Sequence, residues 1–396
     1  MTLPAGAVLQ AISPASVGSG ALFQLLRDGR PRTRAELVES TGLARSTIVS
    51  RVTALTESGL VAPAEGAASS GGRPPSRIAY NPSSRLIIAA DLGATHGLVG
   101  VTDLDGNPLA RSTRRLAIAD GPLPILAWVL TEAERLLDGL GRSSRDVIGV
   151  GVGVPGPVEH STGRPVRPPI MPGWDGFDIP EFLQRTFDVP VLVDNDVNIL
   201  ALGERAAVWP QVDDLLFVKI ATGIGAGIIA GGVLQRGAQG AAGDLGHVQV
   251  PHSGDDLDLE ATASAPAVAE NIRTNGGEVG EAFELIDMVR HGDAVAVQAV
   301  REAGRAVGEV IATCVSLLNP STIVIGGRLG ASTGEIIAGV REVVYRRSIP
   351  LSTQHLNIVQ AKGGENAGIR GAALMVSQVV LSPEYIDSLV AQARAS

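Results

Sequence analysis

The segment VLVDNDVN (191–198) runs from strand-like apolar residues straight into Asp194, Asn195, Asp196 and Asn198. Two carboxylates and two amides at this spacing can take a proton from a substrate hydroxyl, or hold that hydroxyl by hydrogen bonds alone. A plainer account is that Asn195 and Asp196 cap a helix starting near Val197, which short polar side chains do well. A second chemistry lies in three glycine-rich turns: DLGATH (Asp91, Gly93, Thr95), ATGIGAG (Thr222, Gly223, Gly225) and IVIGGRLG (Gly326, Gly327). Glycine lets backbone N–H groups approach a phosphate closely, so turns of this kind in facing lobes could grip a nucleotide. Tight hairpins, however, need glycine for their own geometry.

These groups need elements to hold them. LIIAADLGATHGLVGVTDLDGNPLARS, from Leu86, reads as strand, glycine turn, strand, Asp-Gly turn and strand, and LLFVKIATGIGAGIIAGGVLQRGA, from Leu215, repeats the plan. PILAWVLTEAERLLDGL and DAVAVQAVREAGRAVGEVIATCVSLL carry helical apolar spacing between them. Two α/β lobes of similar plan, facing across a cleft, are the economical interpretation. At 396 residues the chain has room for two or three domains and can bury a core, which 45% apolar and 3% aromatic residues predict to be built from Val, Leu, Ile and Ala.

Composition narrows the function classes. Cys314 is the only cysteine, which excludes an internal disulfide and a multi-cysteine metal site. The first residues, MTLPAGAVLQ, lack a basic stretch followed by an apolar one, and no later run is long and apolar enough to span a membrane, so the expected location is the cytoplasm. The net charge of −9 argues against a general polyanion binder. Its distribution qualifies this: residues 1–81 hold eight arginines and five acidic residues, a net of +3, and the remainder carries −12. A basic head on an acidic body suggests that the head alone meets nucleic acid.

Within that head, residues 19–29, 34–42 and 44–59 show helical spacing, each stretch closed by glycine. Ile48, Val52 and Leu55 form the inward stripe of the third helix, leaving Arg45, Ser46, Thr47, Ser50 and Arg51 to reach base edges or phosphates. GLVAPAEGAASSGGRPPSRIAYNP then reads as two strands around a basic tip, the wing of a winged helix-turn-helix, with Arg73 and Arg77 available to a minor groove or to phosphates. The competing account is a helical interaction module whose arginines are merely solvated.

The order of DLGATH, GVGVPGPV, VDNDVN, ATGIGAGI, GAAGDLGH, LEATAS, IVIGGRLG and GENAGIRGAA resembles the ROK family (repressor, open reading frame, kinase), over about residues 15–378. The added head resembles its repressor branch. The resemblance implies an α/β chain: a winged helix-turn-helix (1–81), then a two-lobed actin-like, hexokinase-like (ribonuclease H-like) ATPase fold. Lobe I would occupy 86–197 and lobe II 198–396, unless the C-terminal helix returns to lobe I. It implies a sugar site in the cleft, with Asp196 as the general base if the chain is a kinase and Asn195, Asp244, His247 and Glu260 beside it as sugar ligands. Asp244 stands where the family usually has Glu. Ala94 and Ala221 replace family glycines beside the phosphate turns, which leaves ATP with Mg²⁺ an open partner rather than a required one.

The family's zinc loop is replaced by VQVPHSGDDLDL, which has no cysteine, and His247, His252, Asp255, Asp256 and Asp258 match no known metal spacing. No metal is therefore expected. The expectation is a sugar-responsive repressor acting as a homodimer or homotetramer on operator DNA, with no membrane partner; an ATP-dependent sugar kinase, with or without DNA binding, is the alternative.

Overall fold

The structure, a computed structural model, describes residues 18–64, 76–251, 257–280, 282–331 and 334–395. The head starts with α1 (Ser19–Leu26), followed by β1 (Arg32–Thr33), α2 (Arg34–Thr41) and α3 (Arg45–Glu57). Thr33 and Glu36 form a reciprocal capping box at the start of α2, and Gly42, at φ +68°, ends it. β2 (Val61–Pro63) and β3 (Arg77–Tyr80) complete an antiparallel sheet of order β1-β3-β2. Leu22, Phe23, Leu37, Ile48, Val52 and Leu55 are buried between the three helices, the inward stripe the spacing predicts.

The body contains two five-stranded sheets with one plan. In the first, β4 (Leu86–Leu92), β5 (His96–Thr102) and β6 (Pro108–Arg115) form an antiparallel meander, and β7 (Val147–Val154) and β10 (Val191–Asn195) add in parallel beside β4. A small ribbon, β8 (Val158–Glu159) with β9 (Arg164–Pro165), lies between β7 and β10 in the chain. In the second sheet, β11 (Leu215–Ile220), β12 (Ile224–Ala230) and β13 (Val233–Gln235) repeat the meander, and β14 (Thr322–Gly326) and β15 (Asn357–Gln360) add in parallel. β4 and β7 are buried along their whole length, as central strands covered on both faces must be. α4 (Pro122–Gly139) packs on lobe I, its Trp128, Val129 and Leu136 in that lobe's core.

Between the sheets runs α5 (Asp196–Val208), and in lobe II α6 (Ala294–Leu318) packs along α7 (Gly334–Arg347). The end of the chain leaves lobe II. α8 (Ala367–Val380) lies against α5 and against β4 and β7, so residues 367–380 sit on lobe I rather than within the 198–396 unit. α9 (Pro383–Ala395) goes further and packs on α1 of the head. There Gly20 N donates to Asp387 Oδ1 at 2.8 Å, and a Cβ on Gly20 would lie 2.0 Å from Pro383 O. Ile386 and Val390 join the apolar cluster that also holds Leu22, Phe23 and residues of α5 and α8. Head and body thus share one core.

Candidate functional site

β10 delivers the acidic segment to the end of the lobe I sheet. Asn195 is the N-cap of α5: its Oδ1 accepts from Val197 N at 2.9 Å while its Nδ2 donates to Gly156 O at 2.9 Å. The capping account is therefore met at Asn195, whose amide also ties the turn after β7 to the helix start. Asp194 is buried and accepts from Asn195 N, Asn198 Nδ2 and Arg236 Nε at 2.8, 2.7 and 2.7 Å. Arg236 follows β13 of lobe II, so this bond crosses between lobes. Asp196, 4% exposed in the first turn of α5, is ion-paired with Lys219 of β11, a second crossing.

Asp91, at the C-terminal end of β4, lies close enough to feel both partners. Its carboxyl is pushed up to about 7, first by burial and then by the charge of Asp196, with Lys219 opposing. Burial and the ammonium of Lys219 hold the His96 imidazole below its usual value. A Cβ on Gly368, in the first turn of α8, would lie 1.9 Å from Asp91 Oδ2, so that helix start closes over the carboxylate.

The cleft itself is lined by Asn195, Asp196, Asp244, His247 and Glu260, the whole predicted sugar set, and by Thr222, Gly223 and Gly225 from the turn between β11 and β12. Glu260 is held inward rather than solvated: its Oε2 accepts from Ile224 N at 3.0 Å, fixing the turn. His247 Nδ1 lies 3.2 Å from Asp258 Oδ2, and this hydrogen bond holds the imidazole above its usual value. Asp258 also caps the following helix through Ala261 N at 2.8 Å, the main reason its own carboxyl is held low. Asp244 is exposed at the cleft mouth.

Other predicted residues are placed elsewhere. Asp91, Gly93, Thr95, Gly326 and Gly327 are not among the residues lining this cleft. Gly327 has a local reason to be glycine, since φ is +81° and a Cβ would lie 2.4 Å from Ile220 O. A Cβ on Gly326 would meet the Phe217 ring at 2.4 Å. In the head, Arg45, Ser46 and Ser50 are exposed on α3, whereas Thr47 and Arg51 are half-buried. The outward reading of Arg51 needs correction: with Ser46, Thr47 and Ser50 it lines a groove whose other wall is Asp387, Val390 and Ala391 of α9. Arg77 donates to Pro31 O and pairs with Glu36 at 3.2 Å, so it braces the head's own sheet. Arg73, His252, Asp255 and Asp256 lie outside the described residues.

The donors present do not fit a thiolate zinc site. Cys314 is buried in α6, far along the chain from His247, and His247 is engaged by Asp258. No group of three or more His, Cys, Asp or Glu among the described residues could hold a metal. None of the described helices is long and apolar enough to cross a membrane.

Lys219, which lines the cleft, and Arg236, which pairs with Asp194 behind it, are the residues that motif reading does not single out. The available signal was Lys219 itself, the one charge in LLFVKI, because a lysine in an otherwise buried strand needs a counter-charge.

A two-lobed α/β fold with a polar interlobe cleft and a fused small head defines the class. The sequence pattern of the ROK family matches residues 87–379, and the chain belongs to that family. It is 25% identical over 386 residues to the xylose repressor of Caldicellulosiruptor bescii, covering 92% of this chain and 96% of that protein. A glucokinase of Halalkalibacterium halodurans is 28% identical over 321 residues, covering 75% of this chain and 96% of the enzyme. Among solved structures, a ROK family transcriptional regulator described as a homolog of the E. coli MLC protein superposes with a TM-score of 0.78 at 23% identity, over 94% of this chain and 98% of that one. The fold is thus the actin-like, two-lobed one. The family holds both repressors and sugar kinases.

Proposed function

We propose that this chain is a sugar-responsive transcriptional repressor of carbohydrate genes: the head holds operator DNA and a sugar effector sits in the interlobe cleft. The observation that carries this reading is the unbroken packing from cleft to head. Asp196 begins α5, α5 lies against α8, and α9 continues from α8 to pack on α1 beside the helix bearing Arg45, Ser46 and Ser50. A ligand that alters how the two lobes meet at Asp196 can therefore shift the head, and coupling of about 1–3 kcal/mol is typical of such switches. The xylose repressor's match over nearly its whole length, head included, supports the same reading. We place the protein in the cytoplasm as a homodimer or homotetramer, reading an inverted repeat through two heads.

In this reading Asp196 holds a sugar hydroxyl and takes no proton from it. ATP with Mg²⁺ is not required. The second reading, an ATP-dependent sugar kinase, is favoured by the intact Thr222–Gly225 turn and by the glucokinase relative. Gel-shift of a promoter fragment by the full-length protein, with D-xylose and D-glucose titrated in, separates the two. Release of the fragment without ADP formation supports the repressor; hexose-dependent ADP formation abolished by Asp196→Asn supports the kinase.

A further inference from the structure

Residues 236–244 follow β13 of lobe II and lie against lobe I at two points. At the first, Arg236 Nε donates to Oδ2 of the buried Asp194 at 2.7 Å. At the second, Gly240 rests on β8: with its φ of +95°, a Cβ would stand 2.5 Å from Val158 O and 3.4 Å from His160 N. His160 in turn faces Asp194, its Nδ1 3.8 Å from Oδ2. The segment then closes on itself, Ala242 N donating to Arg236 O at 3.1 Å, and rejoins lobe II where Ala226 N donates to Gly243 O at 2.7 Å. Gly240, Ala241, Ala242, Gly243 and Asp244 line the cleft, and Arg236 stands behind them.

We propose that Arg236 is a positioning residue: it seats the 236–244 segment on lobe I and so sets the width of the cleft between Asp244 on one wall and Asn195 and Asp196 on the other. It touches no ligand itself. The inference rests on the sugar-binding reading above and goes beyond it. The carboxylate that Arg236 grips also accepts from Asn195 N at 2.8 Å and from Asn198 Nδ2 at 2.7 Å. One buried group therefore ties both walls, the start of α5 through two amide donors and the 236–244 segment through a guanidinium. A sugar held by hydroxyl contacts from both sides needs its partners placed to about 0.5 Å, and a single shared anchor supplies that spacing. Glycine at 240 serves the same end, because any side chain there would strike the backbone of β8 and lift the segment from its seat.

The test compares full-length wild type with Arg236→Met, Arg236→Lys, Gly240→Ala and, as a control, Gly231→Ala. Gly231 also has a positive φ, +57°, but an added Cβ there meets nothing within 4 Å, so the control carries backbone strain without a clash on lobe I. Calorimetry with D-xylose and D-glucose reads the spacing. The sugar that wild type binds is held about tenfold or more weaker by Arg236→Met and by Gly240→Ala, and within about threefold of wild type by Arg236→Lys and Gly231→Ala. Lysine rescues because Asp194 takes a single N–H from Arg236, a contact an ammonium can also make. Gly240→Ala leaves the ion pair intact, so it tests the seat even where Arg236→Met fails to fold. Hydrogen exchange without sugar gives a second reading: the amide of Ala242 exchanges about tenfold or more faster in Gly240→Ala than in Gly231→Ala, and in Arg236→Met than in Arg236→Lys. If wild type binds neither sugar yet exchange changes as stated, the sugar reading fails and the seating role of Arg236 stands. Sugar affinities within about twofold of each other in Gly240→Ala and Gly231→Ala overturn the proposal, as does an Arg236→Lys that binds no better than Arg236→Met.

Discussion

Asp194 and Asp196 stand two positions apart in one strand-to-helix junction, and each meets a cation from the other lobe. Removing one member of such a buried pair leaves an uncompensated partner, which costs about 3 kcal/mol or more. Asp194→Ala, which strands Arg236 Nε and Asn198 Nδ2, should lower the free energy of unfolding by that order in denaturant titration. Asp91 gives a pH prediction of definite sign. Its carboxyl is pushed up to about 7 in the folded protein, so folding takes up a proton there. Its contribution to stability is complete below its unfolded pKa of about 4 and is lost as pH rises toward 7. Asp91→Asn should flatten the fall in unfolding midpoint between pH 5 and pH 8 relative to wild type. Of this cleft, the carboxylate-amide cluster was legible because its residue types are local in the chain, while Asp244, His247 and Glu260, which line the same cleft, were named only through the family resemblance. Lys219 and Arg236 were not, because a bond between lobes depends on a register that no local pattern carries.

At the scale of elements, the close seating of α5 on α8 is the feature on which transmission depends. Gly203 and Gly371 make it possible: a Cβ on the first would lie 1.8 Å from Ala367 O, and on the second 1.7 Å from Ile199 O. Both atoms struck are backbone, so the helices must separate, at a cost typically of about 1–3 kcal/mol. Gly203→Ala should therefore lower the thermal midpoint, and in protein that still folds it should reduce the sugar-induced change in DNA affinity more than it reduces sugar binding, as calorimetry and gel-shift together would show. The strands and the duplicated meander were legible from apolar runs broken by Gly and Asp-Gly turns. The destination of α8 was left open, since an amphipathic helix advertises a buried face and not the sheet it will cover. Arg51 is half-buried for a similar reason: α3 alone marks it as outward, and α9 brings Asp387, Val390 and Ala391 to the other wall of its groove.

At the scale of the whole molecule, the C-terminal helix makes the head part of the body's core instead of a tethered module. Ile386 and Val390 are 0% and 5% exposed, and burial of an aliphatic side chain stabilises by about 1.5–3 kcal/mol. Truncation after Ser382 should thus weaken operator binding strongly while leaving sugar binding by the cleft within about twofold of the full chain, since the lobes keep their own cores; gel-shift and calorimetry check the two halves. Charge asymmetry between the basic head and acidic body was legible from composition, but their mechanical connection was not, because it joins residues 367 positions apart. The central claim is that occupancy of the cleft changes the grip of the head on DNA. Fluorescence anisotropy of a labelled fragment from the protein's own promoter region, titrated with full-length protein while D-xylose or D-glucose is varied, measures this directly. The account predicts that one neutral sugar weakens DNA binding by about fivefold or more and that Asp196→Asn removes the response. DNA affinity that stays constant across the sugars, or a response that survives in Asp196→Asn, would contradict it.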